Sequence, residues 1–180
     1  MPASVTTYYL EMTAPTELRP RRLDRPGLIF SRVATPMPEL NRFFYTAIGG
    51  DWFWIDRLVW TYQQWLDYLK RPELQTWVLA VDGIPAGYAE LEYQEGGNVE
   101  IAYFGLLPAF VGHGLGGYAL TLTIERAWAM DARRVWVHTC SLDHPSALAN
   151  YEARGLRVHK QETKAQELPA QAPGPWQGAR

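Results

Sequence analysis

Apolar and polar positions alternate most clearly from residue 74 to residue 108, where LQTWVLAVDG, IPAGYAELEYQEGG and NVEIAYFGLLP read as three successive strands. Turn signals at Asp82-Gly83 and Gly96-Gly97-Asn98 divide them, so the segment predicts an antiparallel meander. Upstream, the β-branched and aromatic runs 4–13 (SVTTYYLEMT) and 28–35 (LIFSRVAT) predict two strands joined by the proline- and arginine-rich PTELRPRRLDRPG. The period then changes. PELNRFFYTAIGG predicts a short helix closed by Gly49 and Gly50, and TYQQWLDYLKRP carries Tyr62, Trp65, Leu66 and Leu69 on one helical face, ended at Pro72. Downstream the pattern predicts a long helix over Gly114–Met130, a strand at 133–142, a short helix from Pro145 to Arg154 closed by Gly155, and a last strand at 156–163. AQELPAQAPGPWQGAR lacks periodicity, and 163–180 is expected to be a mobile tail. Helices around a meander, followed by strand, helix and strand, predict an α/β (α+β) single domain on a mixed, mostly antiparallel sheet flanked by helices.

Composition narrows the reading. The chain has 180 residues, 47% hydrophobic and 20% charged, enough for one sizeable core. A formal charge of −2 supplies no basic field for nucleic acid or anionic lipid, so neither partner is expected. The single cysteine, Cys140, forms no internal disulfide, and MPASVTTYYL has neither the basic nor the apolar region of a leader, so a cytoplasmic location is expected. Ile101–Ile124 is long and apolar, but five glycines and Pro108 divide it, which argues against a membrane helix. His113, His138, His144, His159 and Cys140 lack zinc-ligand spacing, and no metal is expected.

The strongest local signal is Gly112-His113-Gly114-Leu115-Gly116-Gly117, between the third strand of the meander and the long helix. Glycines there permit positive φ and close approach of a ligand, and the first turn of the helix offers unpaired N–H groups to a diphosphate. A tight packing turn is the bland alternative. GHGLGG also satisfies the dinucleotide fingerprint, but three strands precede it, a proline loop intervenes and the next strand ends VWVHTCS without the acidic residue, so a nicotinamide enzyme ranks low.

Residues 98–156 resemble the GCN5-related N-acetyltransferase superfamily (GNAT) through three features. Leu106-Leu107-Pro108 and Val111 to Gly116 resemble its strand and pyrophosphate loop, with Val111 where Arg or Gln is usual. His144-Pro145-Ser146-Ala147 with Tyr151 to Leu156 resembles its Asn-x-x-Ala-x-x-x-Tyr-x-x-x-Gly-Phe segment, with His144 for Asn and Leu156 for Phe. Glu100 stands fourteen residues before Gly114, where histone acetyltransferases of the superfamily carry a general base.

The resemblance implies an acetyltransferase domain over 28–162 with 1–27 as an N-terminal extension. It also implies acetyl-CoA as co-substrate and direct attack on the thioester by a primary amine of a small molecule or peptide. A non-catalytic acyl-CoA-binding module is the alternative. On this reading Glu100 is the base and Tyr151 the acid, while Phe104, Leu106, Val111, Gly112, His113, Gly114, Leu115, Gly116, Gly117, His144 and Ala147 hold the coenzyme. In the family a bulge or splay in the strand frees a backbone N–H for the thioester carbonyl, and Phe104-Gly105-Leu106 occupies the matching segment. Glu90 and Glu92, on one strand face, are candidates for selecting a cationic acceptor, and Arg133 and Arg134 for reaching a 3′-phosphate. The chain also holds eight Trp, ten Tyr and six Phe, and seven of these aromatics crowd into residues 52–68. The family commonly walls its acceptor site there, so Trp52 and Trp54, in a loop, are candidate pocket residues. Many relatives dimerise, so a homodimer is possible.

Overall fold

Residues 86–91 are buried on both faces of their strand, and the rest of the fold follows from what covers those faces. The computed structural model describes residues 2–176, 178 and 179. Its strands are β1 (Pro2–Met12), β2 (Leu28–Arg32), β3 (Leu74–Val81), β4 (Ile84–Gln94), β5 (Asn98–Leu106), β6 (Arg134–Cys140) and β7 (Arg157–Glu167). The helices are α1 (Pro38–Gly49), α2 (Tyr62–Leu69), α3 (Leu115–Trp128) and α4 (Ala147–Ala153). Together they form a single α/β domain on one sheet of order β2-β3-β4-β5-β6-β1-β7, in which every described pairing is antiparallel except β5 with β6.

The two faces bury different material. Under α3 and α4, Leu10, Met12, Leu91, Val99, Ile101, Val135 and Val137 meet Leu120, Ile124 and Tyr151. Under α1, Phe44 and Ile48 pack on Tyr88, with the Phe44 and Tyr88 rings stacked at 4.9 Å. Gly105 makes the second contact possible, because a Cβ there would lie 2.5 Å from Ile48 Cγ2. The α2 start is fixed locally: Gln64 N–H donates to Thr61 Oγ1 and Thr61 N–H to Gln64 Oε1, a reciprocal capping box.

Three expectations meet a different structure. β1 is no outlying extension: it lies between β6 and β7, with Leu10 and Met12 fully buried. Burying those two side chains repays the ordering of the strand, and β1 supplies ladder hydrogen bonds to both neighbours. The expected mobile segment is strand as far as Glu167, paired opposite Pro2, with Thr6 and Thr163 hydroxyls 2.9 Å apart. Beyond it, Gly174 N–H donates to Gly50 O at 2.9 Å. Finally, of the bulge or splay expected at Phe104-Gly105-Leu106, the bulge falls elsewhere: that segment pairs regularly with Gly87-Tyr88-Ala89 on β4 and the β5 bulge is at Ala102, while on its other edge β5 is splayed from β6 beyond Glu100. The apolar window 101–124 is split among β5, a glycine turn and α3, and no described helix is long and apolar enough to cross a membrane.

If β1 is a core strand, Leu10→Ala should cost about 2–5 kcal/mol of unfolding free energy. Exposed Ile29→Ala on β2 should stay within about 0.5 kcal/mol, both read from urea unfolding curves.

Candidate active site

β5 and β6 pair only through Asn98–Arg134, Val99–Val135 and Glu100–Trp136. Beyond that they part, and a cleft of about 650 Å³ opens between Ile101–Leu106 on one arm and Val137–Cys140 on the other. Parting leaves N–H and C=O groups along the inner edge of β5 without a strand partner, and the Ala102 bulge re-aims them. One wall of the cleft is therefore a strand edge of N–H and C=O groups that β6 does not pair.

At its mouth stands the N-terminus of α3. Gly112 and Gly114 have φ of +86° and +75°, which glycine adopts without strain, and Gly114 precedes the first helical residue. No side chain caps this end, so the N–H groups of its first turn remain free. Two arginines flank it. A Cβ on Gly114 would be 3.7 Å from Arg21 Nη2, and one on Gly117 would be 2.6 Å from Arg154 Nη1. Arg21 is delivered by the segment after β1, pinned where its N–H donates to Thr121 Oγ1 (2.9 Å) and where Arg19 N–H donates to Arg154 O (3.0 Å). Among the described residues neither guanidinium has an acidic partner, and Arg154 Nε is buried without a hydrogen bond. Burial and the charge of Arg21 both push the Arg154 pKa down. Two like charges beside an uncapped helix N-terminus make a site that an anion relieves.

Of the residues expected to hold the coenzyme, Phe104, Leu106, Val111, Gly112, Gly114, Gly116, Gly117, His144 and Ala147 line the cleft. His113 does not line it and is exposed, while the Leu115 side chain is core beside Val81 and Ala86. Tyr151 lines the cleft from α4, 6.3 Å ring to ring from Phe104, and among the described residues its hydroxyl has no partner. Burial, then the nearby Asp143 carboxylate, push its hydroxyl well above the usual tyrosine range, so it stays protonated. Arg134 is at the closed end of the sheet, paired with Glu11 at 2.5 Å, and so is not placed for a 3′-phosphate.

On the opposite face of the sheet, Trp52 and Trp54 line the cleft. Trp52 meets His144 edge-on at 5.0 Å, and Trp54 Nε1 donates to Asp143 Oδ1 at 3.2 Å. The other Asp143 oxygen accepts from Thr139 Oγ1 and the Cys140 N–H. The aromatic loop is thus tied across the gap to the end of β6. Glu100 is set back from the cleft: Gln94 Nε2 donates to its Oε2 at 2.8 Å, and its Oε1 is 3.2 Å from His138 Nδ1. His138, absent from the sequence-based set, lines the cleft instead.

Glu90 and Glu92 are corrected by the structure. Glu90 is 0% exposed and accepts from Arg57 Nη1 (2.8 Å), Asn41 Nδ2 (2.9 Å) and Tyr68 Oη (3.0 Å). Those partners use the lone pairs an acceptor would need. The Arg57 guanidinium sits over the Tyr68, Tyr103, Trp60 and Trp65 rings at 4.1, 4.2, 4.7 and 5.6 Å. Much of the aromatic crowd therefore encloses this chain's own cation. Burial works against the Arg57 charge, but the Glu90 carboxylate together with the Tyr68 and Tyr103 hydroxyls outweighs it and holds the pKa above the ordinary value. Glu92 is paired with Arg71 at 2.5 Å, away from the cleft. Among the described residues no three His, Cys, Asp or Glu side chains converge as a metal site.

A sheet whose central strands part beside an uncapped, glycine-entered helix defines an acetyltransferase-type α/β protein. The model of the acetyltransferase (GNAT) family matches residues 36–156, and the chain belongs to that family. A GCN5-related N-acetyltransferase from Kribbella flavida is similar at 20% identity and TM-score 0.63, over 87% of this chain and 55% of that one. One from Sphaerobacter thermophilus is similar at 16% and 0.65, over 92% and 52%. The Escherichia coli ribosomal-protein-S18-alanine N-acetyltransferase is similar at 15% and 0.55, over 71% and 76%. The chain thus spans about half the length of the first two. No curated protein matches it.

Glu90→Ala should cost about 3–5 kcal/mol of unfolding free energy, because it strands the Arg57 charge inside the aromatic box. Urea denaturation checks this, and Glu92→Ala, at a half-exposed pair, should cost about 1 kcal/mol or less.

Proposed function

We propose that this protein transfers an acetyl group from acetyl-CoA to a primary amine of a small molecule or peptide, by direct attack of the amine on the thioester. The observation that carries it is the Arg21–Arg154 pair, two guanidinium groups that have no counter-charge among the described residues, at the first-turn N–H groups of α3, opening into the cleft that Tyr151 lines. These residues fit a coenzyme diphosphate, whose two negative charges they match in number and oppose in sign. When bound, the coenzyme supplies an acetyl group activated as a thioester.

The chain's own residues meet the remaining demands. Free β5 N–H groups stabilise negative charge on the carbonyl oxygen as it is attacked, in a cleft where such donors need no reorganisation. The Tyr151 hydroxyl, kept protonated, gives its proton to the departing thiolate. Cys140 lines the same cleft, but burial pushes its thiol up, which leaves little thiolate to take the acetyl group itself and favours direct transfer. Among the described residues the lining carries Asp56 and Asp143 and no lysine or arginine, with Trp52 and Trp54 opposite, which suits a cationic acceptor.

Thiol release from acetyl-CoA in the presence of an amine panel tests the proposal, with thermal shifts by acetyl-CoA and NADH alongside. Stabilisation by NADH alone rejects it, and acetyl-CoA binding without release supports a non-catalytic module. Tyr151→Phe should lower kcat by about 10²–10⁴-fold with acetyl-CoA affinity unchanged. Arg21→Ala and Arg154→Ala should each weaken acetyl-CoA by roughly 10–100-fold, the equivalent of about 1.5–3 kcal/mol for a charged hydrogen bond, as titration calorimetry would read.

A further inference from the structure

We propose that His138 is the group that takes the proton from the acceptor amine, and that Glu100 is a positioning residue that holds it by the ring nitrogen turned away from the cleft. The proposal rests on the acetyl-transfer reading above. It follows from register. Trp136 is the last β6 residue paired with β5, so His138, two residues on, is on the arm that has parted, with its side chain on the same face as Trp136. That face is the one bearing Glu100, whereas the alternate Val137 points into the core that contains Tyr151. His138 lines the cleft and Glu100 does not.

The pair is itself held. Glu100 Oε1 is 3.2 Å from His138 Nδ1, its Oε2 accepts from Gln94 Nε2 at 2.8 Å, and Gln94 Oε1 accepts from Trp136 Nε1 at 3.0 Å. A carboxylate can only accept, so it assigns the imidazole proton to Nδ1 and leaves the Nε2 lone pair for a substrate. Glutamate behind histidine and an open nitrogen in front is the arrangement that makes imidazole a base of fixed tautomer.

The groups facing this ring are Glu100 from β5, Asp143 from the turn after β6, Asp56 from the connection between α1 and α2, and Tyr9 of β1 at 6.1 Å, beyond which stand Lys160 and Glu162. The nearest are anionic. The hydrogen bond to Glu100 holds the His138 pKa above its ordinary value, with Asp143 and Asp56 adding to it. The transfer balances as a proton count: the amine nitrogen forms its bond to the acetyl carbon and loses a proton to Nε2, while the carbon–sulfur bond breaks and the thiolate takes a proton from Tyr151. The base must be neutral to act, so activity rises as pH climbs through the His138 pKa.

The test uses the full chain, acetyl-CoA and the best acceptor of the amine panel, with the His138 ring titrated by NMR independently of turnover. The wild-type ring should titrate above the usual histidine value of about 6.5. The acidic limb of kcat/KM should have the same midpoint. Glu100→Gln should lower both together, and Glu100→Asp should restore part of the rate. His138→Gln should lower kcat by about 10²–10⁴-fold with acetyl-CoA affinity unchanged. Wild-type kcat in His138→Gln, or an acidic limb that stays fixed while Glu100→Gln moves the NMR titration, overturns this inference and leaves the transfer reading standing. A wild-type protein that binds acetyl-CoA but acetylates no amine overturns both.

Discussion

The Arg57–Glu90 ion pair is the constraint around which the α1–α2 side of the cleft is built. A guanidinium and a carboxylate removed from water carry a desolvation cost that only close pairing and full hydrogen bonding offset. The chain meets it with groups from separate elements: Glu90 from β4, Asn41 from α1, Tyr68 from α2, and the rings of Tyr103 on β5 and Trp60 and Trp65 in and before α2. None of these can move without exposing or orphaning the charge. The connection from Gly50 to Thr61 contains no helix or strand, yet Arg57 pins it to the sheet, and the Arg57 N–H adds a bond to Tyr45 Oη at 3.1 Å. Trp52 and Trp54 hang from that anchored segment. A loop that walls a binding cleft is thereby given the fixity of a core element.

The second constraint is the parting of β5 and β6. Parallel pairing through three residue pairs holds the strands together at one end, and they part beyond it. Such a gap would normally expose an unpaired edge on each arm. Here the β6 arm is covered on its far side by β1, which pairs with it from Met12–Val135 to Thr7–Cys140. Inserting β1 between β6 and β7 therefore lets β6 lose one neighbour without losing strand geometry. The same segment continues past α3 and carries Arg21 to the helix N-terminus, so one stretch of chain serves both the sheet and the site.

What the sequence disclosed was local chemistry. Gly112 and Gly114 take positive φ, Asp82-Gly83 and Gly96-Gly97 turn the meander, and Tyr151 lies on a short helix closed by Gly155, all readable from a few neighbouring residues. What it concealed was long-range pairing. Nothing in SVTTYYLEMT distinguishes an outlying strand from one buried between β6 and β7, because its partners lie more than 120 positions away in sequence. Glu90 and Glu92 share a face, as alternation predicted, but the decisive fact was Arg57 entering the aromatic cluster from 33 residues away. A glycine at 105, in mid-strand, is consistent with a bulge because glycine is permissive. It is glycine because Ile48 needs the space, and the bulge falls on Ala102, whose side chain gives no local sign of it. Arg21 lay in an arginine-rich run that reads equally well as a solvated linker.

The face to which each titratable group belongs explains how one cleft, on the proposed reading, can hold an acid and a base without their cancelling. Tyr151 reaches the cleft from the α3 and α4 side, among Ile101, Val137 and Leu120, where burial favours the neutral phenol. His138 reaches it from the other face, beside three carboxylates that favour the charged imidazolium. Both pKa values are raised, but from ordinary values on either side of neutrality, so burial makes the phenol a more secure proton holder while anions make the imidazole a more willing taker. The sheet lies between them, and the gap between β5 and β6 is the passage that joins its two faces. Chemistry that needs a proton removed on one side and supplied on the other is therefore favoured at the point where the strands part, and a continuous ladder there would separate the two groups.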